Sequence, residues 1–139
     1  MADDDGHDPR KDSGNDPAAA ESVVRGYWDR IWLDRDLNAL KDLVADRVLR
    51  HGTEGTETLT REVLRKRLAG AHEAVRASEL SVDAITAEGT TVWIRLTLRG
   101  VSLATSAPLA VTWLAQYRVQ DGRIAEIWSL HQAGLDWGA

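Results

Sequence analysis

Apolar side chains recur at spacings of three and four through Val24, Tyr27, Trp28, Ile31 and Trp32, the stripe of an amphipathic helix. Asp16 can cap this helix and Pro17 suits its first position. After a break at "LDRD", Asp36 caps a second, shorter predicted helix over "LNALKDLVAD", with Leu37, Leu40, Leu43 and Val44 facing inward. "RVLRHGTEGTET" reads as a turn region punctuated by Gly52 and Gly55. A third helix is predicted from Thr60 to Ala77, with Leu64, Leu68, Ala71 and Val75 on its stripe and His72 on its surface side.

From Glu79 the period falls to two. Four strands follow: "ELSVDAITA", "TVWIRLTLRG", "LAVTWLAQYRVQ" and "GRIAEIWSLHQAG". Asp121 and Gly122 between the last two are a two-residue hairpin signal. Helices segregated from an antiparallel sheet predict an α+β domain over residues 17–139, preceded by a disordered acidic tail over residues 1–16 that contains His7.

Alternation sorts each strand into two faces. Val92, Ile94, Leu96 and Leu98 share one, and Trp93, Arg95, Thr97 and Arg99 share the other. Counting outward from an Asp121–Gly122 turn pairs Gln120 with Arg123, which sets Leu114 opposite Ser129, Thr112 opposite His131 and Gln116 opposite Ile127. The remaining face of that hairpin holds Trp113, Tyr117 and Trp128. A solvated mixed face would carry Trp93, Leu114 and Ile127 into water. The mixed face is therefore read as the concave wall of a pocket, and the apolar face, with Trp113, Tyr117 and Trp128, as a convex homodimer contact.

The chain has 139 residues, enough for one domain with a real core and a ligand cavity. Its net charge is -5 and Lys and Arg form no basic block, so nothing points to nucleic acid. With no Cys there is no disulfide framework, thiolate nucleophile or Cys-type zinc site. No apolar run approaches the ~20 residues of a membrane span. The acidic N-terminal stretch lacks the apolar core of a signal peptide, so a cytoplasmic protein is expected. Six Trp and no Phe suggest core, interface or cavity wall.

Three segments, "YWDRIWLDRDLNALKDLVADRVLRHG", "TVWIRLTLRG" and "YRVQDGRIAEIW", resemble in this order the SnoaL-like polyketide cyclases of the nuclear-transport-factor-two-like, or ketosteroid-isomerase-like, superfamily. The resemblance spans residues 20–135. It implies a cone-shaped α+β barrel, with three N-terminal helices packed in a curved antiparallel sheet around a deep apolar pocket. It also implies dimerisation through the sheets and an acid directly after the Trp of the last strand. That position is Ser129. The base of ketosteroid isomerases falls near Gly52. Of the acid–arginine–acid set of limonene epoxide hydrolases only Arg95 is matched, with Thr97 and Ser129 in place of the acids.

These departures leave His131 as the replacement base, since an imidazole titrates near neutrality. The alternative is a solvated or structural histidine. Arg95 would bind a carboxylate or enolate oxygen, or pair with an internal acid. Ser129 completes the expected catalytic set. Gln116, Thr97, Thr112, Trp93, Leu114, His51, Tyr27 and Trp32 are the expected substrate-binding residues. No ligand spacing supports a metal site, and no cofactor is expected. The expected function is a cofactor-independent cyclase, dehydratase or isomerase acting on a hydrophobic polyketide-type carbonyl compound. The alternative is a non-catalytic hydrophobic-ligand-binding or dimerisation module.

Overall fold

The computed structural model describes residues 16–138; the predicted acidic tail, apart from Asp16, lies outside the described residues, as does Ala139. Helix α1 spans Pro17–Gly26, and the Asp16 carboxylate accepts the Ala19 N–H at 2.7 Å. It runs without a break into a π-helical segment, Tyr27–Leu33. There the Asp34 N–H reaches back five residues to the Asp29 carbonyl at 3.0 Å. This wider turn is rare and tends to mark functional sites. It buries Tyr27, Trp28 and Ile31.

A 3₁₀ turn, Leu37–Ala39, leads into a single-turn helix α2, Leu40–Leu43. The predicted second helix thus ends early. Val44–Gly52 is strand β1, and Gly55–Thr60 is strand β2. Helix α3 covers Arg61–Ala74, with the Thr60 hydroxyl accepting the Val63 N–H at 3.2 Å. Strands β3 (Val75–Glu88), β4 (Thr91–Ser102), β5 (Pro108–Gln120) and β6 (Arg123–Ala133) follow.

The six strands form one sheet in the order β2-β1-β6-β5-β4-β3. β1 runs parallel to β6, and the other pairs are antiparallel. The prediction of four antiparallel strands is corrected to six in a mixed sheet, and α3 lies between β2 and β3 rather than wholly N-terminal. β2 escaped notice because "GTETLT" is polar apart from Leu59 and only Leu59 is buried.

The decisive detail is a β-bulge in the last hairpin. Val119 pairs with Ile124, but Arg118 pairs with Glu126, leaving Ala125 as the extra residue. The uninterrupted count placed Leu114 opposite Ser129. In the structure Leu114 opposes Leu130, Ala115 opposes Ser129 and Trp113 opposes His131. A slip of one residue exchanges the faces of every position beyond it. Ile127, Ser129 and His131 therefore share a face with Tyr117, Ala115 and Trp113.

That face also carries Val92, Ile94, Leu96 and Leu98, which are buried in the core with Val24, Trp28 and Ile31. The apolar face is consequently the inner, helix-covered one, and the mixed face with Trp93, Arg95, Leu114 and Gln116 is the outer one. This reverses the predicted assignment. The physical reason is burial: Val92, Ile94, Leu96, Leu98, Trp113 and Tyr117 are 0–9% exposed because the helices cover their face. No described helix is long and apolar enough to cross a membrane.

The segment after β6 returns over the outer face. Thr112 Oγ1 donates to the Leu135 carbonyl at 2.8 Å, and Asp136 receives Arg99 through Nε and Nη2 at 2.7 and 2.9 Å.

Candidate functional site

An interior cavity of about 290 Å³ lies between the helices and the inner face of the sheet. Five aromatic rings wall it: Tyr27, Trp28 and Trp32 from the first helix, Trp113 and Tyr117 from β5. Trp28 and Trp32 stack with centroids 5.5 Å apart and planes 21° apart, and Trp28 meets Trp113 edge-on at 5.1 Å. Ser129 and His131 complete the wall from β6. Ser129 is buried, whereas His131 is exposed at the mouth and stacks on Trp113 at 5.1 Å.

Arg50 and Arg67 also border the cavity, from β1 and α3. At the mouth Glu57 receives both terminal nitrogens of Arg67 at 2.6 and 3.0 Å and approaches Arg50 at 3.9 Å. The Arg67 hydrogen bonds hold the Glu57 carboxyl below its ordinary range. A second, polar recess of about 460 Å³ adjoins this mouth and shares Arg50, Arg67 and His131 with the cavity. Burial raises the Tyr27 phenol to about 12, with the neighbouring Trp32 indole and the Arg50 charge opposing it. Tyr117 is pushed up for the same leading reason. Both phenols therefore stay neutral and able to donate.

Behind Trp32 lies His72, 6% exposed, its ring edge-on to the indole at 5.9 Å. Its predicted surface position is corrected: His72 follows Leu64 and Leu68 at spacings of four and belongs to their buried stripe. Desolvation, reinforced by the Arg35 charge, lowers its pKa. Among the described residues, the buried His72 Nε2, Trp28 Nε1 and Trp32 Nε1 atoms close no hydrogen bond of good geometry.

The other expected site residues do not join this cavity. Arg95, Trp93, Leu114 and Gln116 line a groove of about 480 Å³ on the outer face, together with Trp128 and Leu130. Arg95 lies 4.0 Å from Asp83, the acid it pairs with. Thr97 donates to Asp83 at 2.7 Å and Thr112 to the Leu135 carbonyl, so both hydroxyls are engaged within the outer face. His51 is also on the outer face, stacked on Trp128 at 4.9 Å. Its Nδ1 meets Thr56 Oγ1 at 2.8 Å and its Nε2 meets Glu126 at 2.7 Å. The outer groove is larger, but it is an open depression. The interior cavity is more sheltered, is walled by rings and brings titratable and polar groups together, and it is the candidate active site. Among the described residues no group of three or more metal-ligating side chains converges.

The SnoaL-like domain family matches residues 24–127. The chain belongs to this family. Solved structures share the SnoaL-like fold at low identity. A proposed polyketide cyclase from Acidithiobacillus ferrooxidans is 12% identical with a TM-score of 0.73, covering 82% of this chain and 88% of its own. IdmH, a proposed polyketide cyclase from Streptomyces antibioticus, is 22% identical with a TM-score of 0.67, covering 81% and 91%. An epoxide hydrolase of the limonene-epoxide-hydrolase-like type from M. tuberculosis is 15% identical with a TM-score of 0.69, covering 84% of each chain. No curated protein matches in sequence.

Within this SnoaL-like cone, Tyr27, Trp32, Ser129 and His131 are the expected residues that meet at one cavity. Trp28, Trp113, Tyr117, Arg50 and Arg67 also line it and were not expected there. Trp113 and Tyr117 were misplaced because their face was taken as convex. Arg50 lies in a segment read as a turn, which assigns no face. Its inward direction follows only once it is seen to pair with Ile127 in the parallel β1–β6 ladder.

Proposed function

We propose that the interior cavity binds a hydrophobic polyketide-type carbonyl compound and that the chain acts on it, in the cytoplasm and without a cofactor, as a cyclase, dehydratase or isomerase. The observation that carries this reading is the meeting of His131 and Ser129 with five aromatic rings around one cavity. An enclosed aromatic wall holds an extended conjugated ligand in a folded shape, and orientation alone contributes strongly to ring closure. Among the described residues no carboxylate lines the cavity. His131 is then the group that removes a proton beside the carbonyl and returns it, and its position at the mouth leaves one edge wet for exchange. The developing enolate oxygen gains from donors in a water-poor wall. Arg50 takes the electrostatic part first expected of Arg95, which stands on the outer face.

The absence of an acid at Ser129 favours one second reading, a cavity that binds without reacting. A thermal-shift screen with aromatic and polyene carbonyl compounds, followed by mass spectrometry of the hits, separates the two. Turnover that falls at least about tenfold in His131→Ala supports the enzyme with His131 as its base. Full turnover in His131→Ala removes His131 from the mechanism, and stabilisation with no product supports the binding module.

The homodimer expected through the convex face becomes a proposal with different residues. Trp113 and Tyr117 are 9% and 2% exposed and face inward. The outer face instead exposes Trp93, Leu114 and Leu130 at 40–56%. We propose that this surface is the contact between two copies.

A further inference from the structure

We propose that Arg50 holds a carboxylate at the mouth of the cavity, so that the ligand is an acid whose hydrophobic body lies among the aromatic rings and whose charged end stays at the entrance. This rests on the reading of the cavity as a ligand site and deepens it. Of the two oxygens first expected on Arg95, the carboxylate is the one assigned to Arg50.

Among the described residues, Arg50, Arg67 and His131 are the side chains common to the aromatic cavity and the polar recess beside it. They border the passage between the two spaces, and all three can carry positive charge. The acids of the recess, Glu54 and Glu57, do not line the cavity. An apolar cavity that opens past cationic groups suits a ligand with an apolar body and one anionic end. In such a site a few placed polar groups fix the ligand's orientation.

The two arginines are not equally free. Glu57 accepts from both terminal nitrogens of Arg67, so that guanidinium is already matched. Arg50 faces Glu57 directly across the β1–β2 ladder, yet the two side chains approach only to 3.9 Å. Among the described residues the Arg50 guanidinium closes no hydrogen bond, and this long contact is its one ion pair. Gly52, two residues further along β1, leaves room for it: a Cβ there would stand 2.9 Å from Arg50 Nη1. The Arg50 charge also reaches into the cavity. Burial raises the Tyr27 and Tyr117 phenols, and Arg50 opposes that rise at both. A guanidinium presents two parallel N–H donors at the spacing of carboxylate oxygens. A neutral carbonyl would leave the charge unmatched, and an amine would meet Arg50 with like charge.

The test compares naphthylacetic acid with naphthylacetamide, its neutral counterpart of the same shape, by isothermal titration calorimetry of the full chain at neutral pH. The wild-type protein is expected to bind the acid about tenfold more tightly. Arg50→Gln should remove most of that preference and leave amide binding within about threefold. Should Arg50→Gln disturb folding, Arg50→Met keeps an apolar stem and removes the guanidinium. Equal wild-type binding of acid and amide, or a folded Arg50 variant that keeps the full preference, overturns the carboxylate site and leaves the cavity reading standing. If neither compound binds, both fall.

Discussion

His51 Nε2 and the Glu126 carboxylate meet at 2.7 Å on the outer face of the sheet, tying β1 to the parallel strand β6. Glu126 also receives Arg118 Nε at 3.0 Å, and the hydrogen bond from His51, followed by that from Arg118, holds its carboxyl below the ordinary value of 4.5. Nε2 must then carry the proton in either charge state of the ring, which directs Nδ1 to Thr56.

A carboxyl with a depressed folded pKa adds stability that is present above the unfolded pKa and is lost as pH falls through the folded one. Glu126→Gln should therefore lower stability by about 1–3 kcal/mol at neutral pH. The difference from wild type should shrink as pH falls below about 4.5 and be lost once the pH has passed below the depressed folded pKa. Urea midpoints of both proteins across that range check it. A difference that persists unchanged in acid would mean that the ionised carboxylate is not the source.

The two tyrosines predict an alkaline limit. A phenol whose folded pKa is raised contributes stability that is whole below the unfolded value of 10.0 and is lost as pH rises toward about 12. At about 1.4 kcal/mol per pH unit, Tyr27 alone accounts for a loss of up to about 3 kcal/mol. Tyrosinate absorbance should stay silent until unfolding and then appear together with the loss of helical circular dichroism. Gradual ionisation in the folded protein near pH 10 would contradict the burial of both rings.

Gly100 pairs with Ala77 where β4 runs against β3. A Cβ there would overlap the Arg76 carbonyl oxygen, which is backbone and cannot swing aside. Gly100→Ala should destabilise by about 1–3 kcal/mol or more through overpacking. Gly70, around which a Cβ meets nothing within 4 Å, is the matched control. Gly70→Ala in mid-helix should be neutral or stabilising by up to about 1 kcal/mol. Thermal midpoints that fail to separate the two variants would refute the close approach.

The outer face predicts association. Sedimentation of the wild-type chain at micromolar concentration should give a dimer, and the Leu114→Lys/Leu130→Lys double variant a folded monomer. These side chains are 46% and 56% exposed, so their replacement should leave the fold intact. A wild-type monomer, or a dimer untouched by both charges, would rule this face out as the contact.

Much of the architecture was legible because it follows local rules. The Asp16 cap, the β4 alternation and the Asp121–Gly122 turn all stand as their residues suggest. What escaped depends on partners distant in sequence. Val44–Gly52 becomes a strand because β2 and β6 flank it, and its own pattern of partial burial carries no clean period. The site was half legible for a related reason. Ser129 and His131 were matched with a cavity, yet they were grouped with Arg95 and Gln116, because nothing in "GRIAEIW" announces that Ala125 is extra. His72 was a missed signal rather than an absent one, since its spacing from Leu68 already placed it inward.

The bulge at Ala125 makes the identity of the cavity wall a matter of counting. Were Ala125 paired in a regular ladder instead of bulged out, every side chain of β6 would be chemically unchanged, yet Trp128 and Leu130 would turn inward and Ser129 and His131 outward. Two relatives with nearly the same last strand can therefore present opposite chemistries to a ligand.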